Sequence, residues 1–402
     1  MSPTFRSREF LTPIASAMAL TACLSLGACG GGSDAPLALD KPPSIAPPES
    51  SAWSWNLPKG FAPPVVPPHN PMNSAKVELG RHLFYDVRLS GNGTLSCAGC
   101  HAPDRAFSDN RSLARGSTGD VHPRNSQGLV NVAYSTTFNW AHPHVLSLED
   151  QARTPIFGTS PIEMGVNDTN RDSVLQRLKN DTGYPPRFLA AFPDEAVPLQ
   201  WENVIKAIAA FNRTLISANS RYDQWQAGEA TLTTTEARGE RLFFGDRALC
   251  SRCHGGPNFN QPLANNASTA TQPLFYNMGL FNIGGSGAYP EPNRGVFEFS
   301  GKSEDMGRFR SPSLRNAELT APYLHDGSAP TLEAVVAIHA AGGRDVGNGP
   351  YAGDGRLNPF KDPLINQIRI DVADQTDLVA FLKTLTDASV ATNPRFANPF
   401  VK

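Results

Sequence analysis

Two pentapeptides carry the chemistry of this chain: Cys97-Ala98-Gly99-Cys100-His101 and Cys250-Ser251-Arg252-Cys253-His254. Cys-x-x-Cys-His is the attachment signature of c-type haem. Two thiols one turn apart add to the two vinyl groups of one porphyrin, and the adjacent histidine is delivered to the iron as an axial ligand. A thioredoxin-like dithiol would not need a histidine after both pairs. A zinc site would need ligands beyond two cysteines and one histidine. The motifs therefore predict two covalent c-type haems, one on Cys97, Cys100 and His101, the other on Cys250, Cys253 and His254. The remaining cysteines, Cys23 and Cys29, lie in the N-terminal leader.

Rigid elements must position these groups. Val77-Glu78-Leu79-Gly80-Arg81-His82-Leu83-Phe84-Tyr85 precedes the first motif, and Ala237-Arg238-Gly239-Glu240-Arg241-Leu242-Phe243-Phe244 precedes the second. Each carries apolar residues at i, i+3 and i+4, the spacing of a short amphipathic helix. Far downstream of each motif comes a second helical run, Ala210 to Leu215 and Ala380 to Leu385. Val204, Ile208, Phe211 and Leu215 form one apolar stripe; Leu378, Phe381, Leu382 and Leu385 form the other. A helix, a haem motif and a closing helix that packs back on the first is how a cytochrome c domain buries its porphyrin. The expected fold is mainly α, with two cytochrome c-like domains at 61–228 and 229–402, each holding one covalent haem. Thr231 to Thr235 reads as the linker into the first helix of the second domain. With 34 glycines and 35 prolines, long Pro/Gly-rich loops should surround short helices.

Lys plus Arg total 35 and Asp plus Glu 37, so a net charge of −2 offers no basic surplus for nucleic acid. No internal apolar run reaches the ~18 residues of a membrane span, which excludes a polytopic membrane protein. Residues 1–28 read as a signal peptide, with Arg6 and Arg8 ahead of an apolar stretch from Leu11 to Leu26. Leu26-Gly27-Ala28-Cys29 resembles a bacterial lipoprotein box, which would make Cys29 a lipidated N-terminus; ordinary cleavage nearby would leave a soluble periplasmic protein. Residues 29–60, beginning with glycines and rich in proline, read as a flexible tether. No acidic retention residue follows Gly30, so by analogy the expected place is the periplasm, lipid-anchored to the outer membrane.

Longer stretches carry a resemblance. They are Leu148-Glu149-Asp150-Gln151-Ala152, Pro161-Ile162-Glu163-Met164, Arg310-Ser311-Pro312-Ser313-Leu314-Arg315-Asn316 and Leu319-Thr320-Ala321-Pro322-Tyr323-Leu324-His325-Asp326-Gly327. With both haem motifs, they resemble the bacterial dihaem cytochrome c peroxidase and MauG family over about residues 70 to 390. Trp53-Ser54-Trp55-Asn56-Leu57-Pro58, Gly116-Ser117-Thr118-Gly119-Asp120-Val121-His122-Pro123 and the Gly255-Gly256 pair with Asn258-Phe259 are most similar to the MbnH-type enzymes of that family. Such enzymes are partnered with a small copper-binding protein, and one oxidises a tryptophan of its partner to kynurenine.

The resemblance implies roles. Trp140 would stand between the two haems. Gln151 and Pro155 would line the distal pocket of haem 1, and Glu163 would serve there in peroxide chemistry. Asn125, with the carbonyls of Thr320 and Pro322, would hold a calcium ion between the haems. The family places Met or Tyr 19 residues after the Thr of its Thr-x-Pro element as sixth ligand of haem 2. Counting from Thr320 reaches His339. Bis-histidine ligation by His254 and His339 is expected, with Met306 the nearby competitor, and imidazole in place of thioether should lower the potential. The loop histidine that caps the resting haem 1 of some peroxidases corresponds to Ser117, so His101 should bind alone there. His122, five residues on, could approach the pocket or be an ordinary loop histidine. MauG's hopping tryptophan corresponds to Ala248; Trp201 or Trp225 could substitute, though core packing suits both. His142 and His144 suit a solvated loop. His325 suits a hydrogen bond near haem 2, and Arg81 and Arg105 suit haem propionates.

The expected enzyme is thus a periplasmic dihaem peroxidase that uses hydrogen peroxide to reach a high-valent, bis-Fe(IV)-like state. It would then oxidise a partner, by analogy a tryptophan of a small copper-binding MbnP-like protein. The alternatives are a peroxidase that detoxifies peroxide with a small cytochrome or cupredoxin as donor, and a non-enzymatic dihaem electron carrier.

Overall fold

A computed structural model describes residues 53–55, 57, 60–260, 264–265, 268–269 and 274–401. The expected signal peptide, Cys29 and nearly all of the tether lie outside these residues. No helix among the described residues is long and apolar enough to cross a membrane. The chain is mainly helical. Its helices are α1 (Ser74–Tyr85), α2 (Leu148–Phe157), α3 (Arg171–Lys179), α4 (Tyr184–Ala191), α5 (Trp201–Arg213), α6 (Arg221–Gln226), α7 (Thr234–Phe244), α8 (Phe297–Ser300), α9 (Leu332–Ala340), α10 (Val372–Lys383) and α11 (Ser389–Thr392). The described strands are two residues long and pair antiparallel, among them Phe275–Tyr276 with Phe309–Arg310.

Local chemistry sets the helix starts. The Asn73 side chain accepts from the Lys76 N–H at 2.7 Å and caps α1. Thr233 and Glu236 form a reciprocal capping box on α7, and Asp371 and Asp374 do the same on α10. Such caps satisfy N–H groups that the first turn leaves without carbonyl partners.

Two helix pairs organise the molecule: α1 packs on α5, and α7 on α10. Val204, Ile208, Phe211 and Leu215 are buried in the first pair, and Leu378, Phe381, Leu382 and Leu385 in the second. Both crossings are tight for the same reason. A Cβ on Gly80 would lie 1.9 Å from the Ala207 carbonyl oxygen, and one on Gly239 would lie 2.0 Å from that of Asp377. Only glycine lets the backbones meet this closely. Gly80→Ala and Gly239→Ala should each cost at least ~2 kcal/mol of stability, because neither carbonyl can move without its helix. Thermal unfolding of the haem-loaded protein checks this; an unchanged midpoint would refute the contact.

The C-terminal segment crosses back from the second pair to the first. Val390 and Phe396 join a core with Phe84, Phe107 and Phe211, and the Tyr85 hydroxyl donates to the Phe396 carbonyl at 2.6 Å. A buried ion pair ties α2 to α5: Arg213 meets both carboxylate oxygens of Glu149 at 2.6 Å, and Asn70 donates to the same carboxylate. Burial pushes the Glu149 pKa up, but Arg213 and Asn70 outweigh it and hold it below the usual value. A depressed carboxyl contributes stability above its unfolded pKa of about 4.3 and loses it as pH falls through the folded value. Arg213→Met should therefore cost about 3–5 kcal/mol near neutral pH, because it strands a buried charge. Glu149→Gln combined with Arg213→Met should recover much of that loss in denaturant unfolding.

Candidate functional site

Each Cys-x-x-Cys-His motif folds as a short 3₁₀ turn, Cys97–Gly99 and Cys250–Arg252, that follows the first helix of its pair. The His101 N–H donates to the Cys97 carbonyl at 3.0 Å, and the His254 N–H to that of Cys250 at 2.8 Å. The four thiols are not joined in disulfides. Burial pushes Cys97, Cys250 and Cys253 up to about 12 and Cys100 up to about 11. Among the described residues, no three His, Cys, Asp or Glu side chains converge as a metal cluster.

Three imidazoles share one arrangement. His101 Nδ1 lies 2.9 Å from the Phe107 carbonyl oxygen, His254 Nδ1 3.1 Å from that of Pro312, and His339 Nδ1 2.8 Å from that of Val335. A carbonyl can only accept, so Nδ1 carries the proton and Nε2 keeps its lone pair. Burial lowers the pKa of all three, that of His254 to about 4 with His339 as the second cause. A neutral ring with Nε2 free and Nδ1 anchored is the form in which histidine binds a metal.

His254 and His339 line one cavity together with Trp140 and with Asn125, Ser126, Gln127 and Gly128. Met306 does not line it, although Met278 does. Two polar side chains in this wall are left unsatisfied. The Arg310 guanidinium is buried deeply enough to lower its pKa to about 10. It hydrogen-bonds Gln127, yet its Nε has no partner among the described residues, and no carboxylate pairs with it. His325 stacks on Phe309 at 3.7 Å with its Nε2 also unpartnered; burial lowers its pKa to about 3. A buried cation without an anion is costly unless a ligand supplies one. The cavity, with the free Nε2 atoms of His254 and His339 and a stranded guanidinium, suits an iron porphyrin with its propionates.

Arg81 and Arg105, the arginines foreseen for haem propionates, do not line this cavity. Arg81 is engaged by Glu78 and the Ala397 carbonyl, and Arg105 is exposed beside Asp104. Arg310 is the residue that sequence reasoning missed; its motif was legible, but burial without a counter-ion is a three-dimensional property.

Trp140 is held at both ends. Its indole N–H donates to the Asn125 carbonyl at 2.8 Å, and its carbonyl accepts from the Arg310 N–H at 2.9 Å. Asn125, Thr320 and Pro322 all line the same cavity. Trp201, by contrast, is core: it is buried, packs on Phe157 and donates to the Arg171 carbonyl.

The first motif faces a different environment. A narrow cleft is lined by Cys100, His122 and Glu163 together with the 114–120 loop. The Glu163 segment is fastened to α2, since the Met164 N–H donates to the Pro155 carbonyl at 2.8 Å. The loop is fastened to Glu163 in turn, through the Ser117 N–H to its carbonyl at 2.7 Å. Gly116 permits that approach, because a Cβ there would meet the Ile162 carbonyl oxygen at 1.8 Å. Burial raises the Glu163 carboxyl to about 7, and no cation opposes the shift. Gln151 lies on the α2 turn that also carries Pro155, with its buried Oε1 unpartnered among the described residues. His122 Nε2 lies 3.6 Å from Glu163 Oε1, which makes it a neighbour of the cleft and not a plain loop residue.

Comparisons agree with this architecture. The family described as di-haem cytochrome c peroxidase matches residues 74–231. The chain is 34% identical over 350 residues to the cytochrome-c peroxidase IdrP1 of Denitromonas iodatirespirans, covering 82% of this chain and 86% of that one. It is 35% identical to the methylamine utilization protein MauG of Methylorubrum extorquens, covering 81% and 83%. A crystal structure of a MauG-like protein associated with microbial copper homeostasis superimposes with a TM-score of 0.85 at 47% identity, covering 87% of this chain and all of that one. Its fold is shared by the dihaem peroxidase BthA of Burkholderia thailandensis, with a TM-score of 0.61 at 22% identity over 81% of this chain and 90% of that one. The chain belongs to the di-haem cytochrome c peroxidase and MauG family of oxidoreductases, which work with two haems.

Proposed function

We propose that this protein is a periplasmic peroxidase in which two covalently attached haems do unequal work. His101, with Cys97 and Cys100, would hold haem 1; His254 and His339, with Cys250 and Cys253, would hold haem 2. The haems, when bound, supply peroxide reduction and storage of the oxidising equivalents. The observation that carries the reading is an asymmetry: two anchored imidazoles share one cavity, whereas the other motif has a single histidine and a carboxyl near neutrality.

The residues of the chain divide the remaining tasks. Glu163 takes the proton from the peroxide oxygen that binds and returns it to the oxygen that departs. Gln151 orients peroxide by accepting its O–H at the unused Oε1, and Pro155, one turn on in α2, holds the Glu163 segment through its carbonyl. Trp140, pinned between Asn125 and Arg310, forms the route between the haems. Asn125, with the Thr320 and Pro322 carbonyls, would give three oxygens of a calcium shell, leaving the remainder of six to eight to water.

The substrate is taken to be a tryptophan of a small copper-binding protein, a reading supported by the 47% identity to a protein linked to copper homeostasis. Relatives named cytochrome-c peroxidase support a second reading, detoxification with a small cytochrome or cupredoxin donor. Lipid attachment through Cys29 would keep the enzyme at the outer membrane. The test is to add peroxide to the diferric protein and follow optical and EPR spectra, then to assay a reduced cytochrome. A long-lived oxidised state with slow donor turnover supports protein modification. Rapid turnover with no such state transfers the assignment to detoxification, and inertness to peroxide ends both.

A further inference from the structure

Peroxide reduction needs more protons than Glu163 can supply alone. The balanced reaction is H2O2 + 2 e⁻ + 2 H⁺ → 2 H2O. Breaking the O–O bond sends its electron pair with the departing oxygen, and Glu163 moves to that oxygen a proton that peroxide already carried. The first water therefore takes nothing from solvent. The second requires two electrons from the donor and two protons from outside, and both protons must reach a carboxyl in a narrow cleft.

His122 is built to carry them. Its Nε2 is 3.6 Å from Glu163 Oε1, and about a quarter of each side chain is exposed (26% and 27%). Its Nδ1 has two backbone partners, both on Arg124: the amide N–H at 3.0 Å and the carbonyl oxygen at 3.0 Å. These partners suit opposite tautomers. When Nε2 carries the proton, Nδ1 accepts from the Arg124 N–H. When Nδ1 carries it, Nδ1 donates to the Arg124 carbonyl. This differs from His101 and His339, whose Nδ1 has only a carbonyl and hence one tautomer.

We propose that His122 is the proton relay between solvent and Glu163, shuttling by exchange between two tautomers that the Arg124 backbone supports equally. A solvent proton binds Nδ1, the Nε2 proton passes to the Glu163 carboxylate, and the ring is left with Nδ1–H on the Arg124 carbonyl. The ring resets by releasing that proton to water while Nε2 takes one up, so that each cycle moves one proton from solvent to Glu163. Burial keeps the imidazole below its ordinary pKa, with the Arg124 charge a further cause, so it holds a transferred proton weakly. The other charged groups at the cleft are Arg115 and Asp120, and Asp120 accepts from the Ile162 N–H at 3.2 Å. The Arg124 guanidinium is taken up by Glu298, leaving its backbone for His122.

The relay rests on Glu163 being the acid–base group of the proposed function, and His122 acts only through it. The test uses haem-loaded wild type and His122→Gln in a two-step stopped-flow experiment. Mixing with peroxide should give the same spectral change at a rate within about twofold, since that step takes no solvent proton. Adding ferrocyanide, which donates electrons without protons, should return the variant to its resting spectrum about 10- to 100-fold more slowly. The wild type should show a normal solvent deuterium isotope effect on this second phase. Independently of turnover, infrared bands of labelled histidine in wild type should report a change of His122 tautomer as Glu163 titrates near pH 7. A single tautomer across that range, or an unaltered second phase in His122→Gln, overturns the relay while leaving the peroxidase reading intact. Failure of wild type to react with peroxide overturns both.

Discussion

His339→Ala should convert one of the two ferric signals. The wild-type diferric protein is expected to show one low-spin haem with two nitrogen ligands and one haem with an open face. The substitution removes an imidazole whose Nδ1 is anchored at 2.8 Å to Val335, on a helix that the Thr331 side chain caps. Met278 and His325 share the cavity wall; the first is a weaker ligand and the second is held by stacking on Phe309. The low-spin EPR signal should disappear. His339→Met, which keeps an axial ligand but weakens its donation, should retain a low-spin haem and raise its potential by a few tenths of a volt. A higher potential makes the oxidised state harder to hold, so the long-lived product of peroxide addition should shorten in the Met variant. An unchanged low-spin signal in His339→Ala would remove this residue from the iron and with it the unequal division of work.

How much of this was legible without coordinates depends on whether the feature is local. The haem turns and the two helix pairs follow from patterns within a dozen residues, and the apolar stripes predicted the buried faces. The glycines at 80 and 239 stood in the sequence at matching positions, yet their cause, a backbone crossing at 1.9 and 2.0 Å, involves partners more than a hundred residues away. His339 was reached by counting along a resemblance, and its lone-pair geometry then came from a carbonyl one turn earlier. His122 illustrates the limit. Its spacing suited a loop, and only the fold brings it to Glu163, through Gly116 and the Ser117 amide. Arg310 failed to declare itself for the same reason: a guanidinium looks solvated in a sequence unless one knows that no carboxylate is near. The return of residues 390–396 to the first core is equally non-local, since nothing in their composition says which helix pair they cover.

Glu163→Gln should have the larger kinetic effect and, unusually, should stabilise the protein at alkaline pH. The carboxyl lies in a cleft with no cation to favour its charge, and burial raises it to about 7. As a base it works when ionised, so the wild-type rate of reaction with peroxide should rise through pH 7 and level off above it. Glutamine cannot accept that proton. The rate should fall about 10²- to 10⁴-fold and lose its pH step, the range seen when a positioned acid–base group is removed. The stability effect has the opposite sign. A carboxyl whose folded pKa lies above its unfolded value of about 4.3 binds more protons when folded, so stability declines as pH rises between the two values and is flat above the upper one. Glutamine has no such decline. Thermal unfolding of the haem-loaded proteins should give near-equal midpoints at about pH 4 and a higher midpoint for Glu163→Gln at about pH 8. Gain of stability together with loss of rate marks a group kept for its chemistry at the expense of the fold. A variant that lost rate and stability together would instead mark Glu163 as a packing residue, and the acid–base assignment would fall with it.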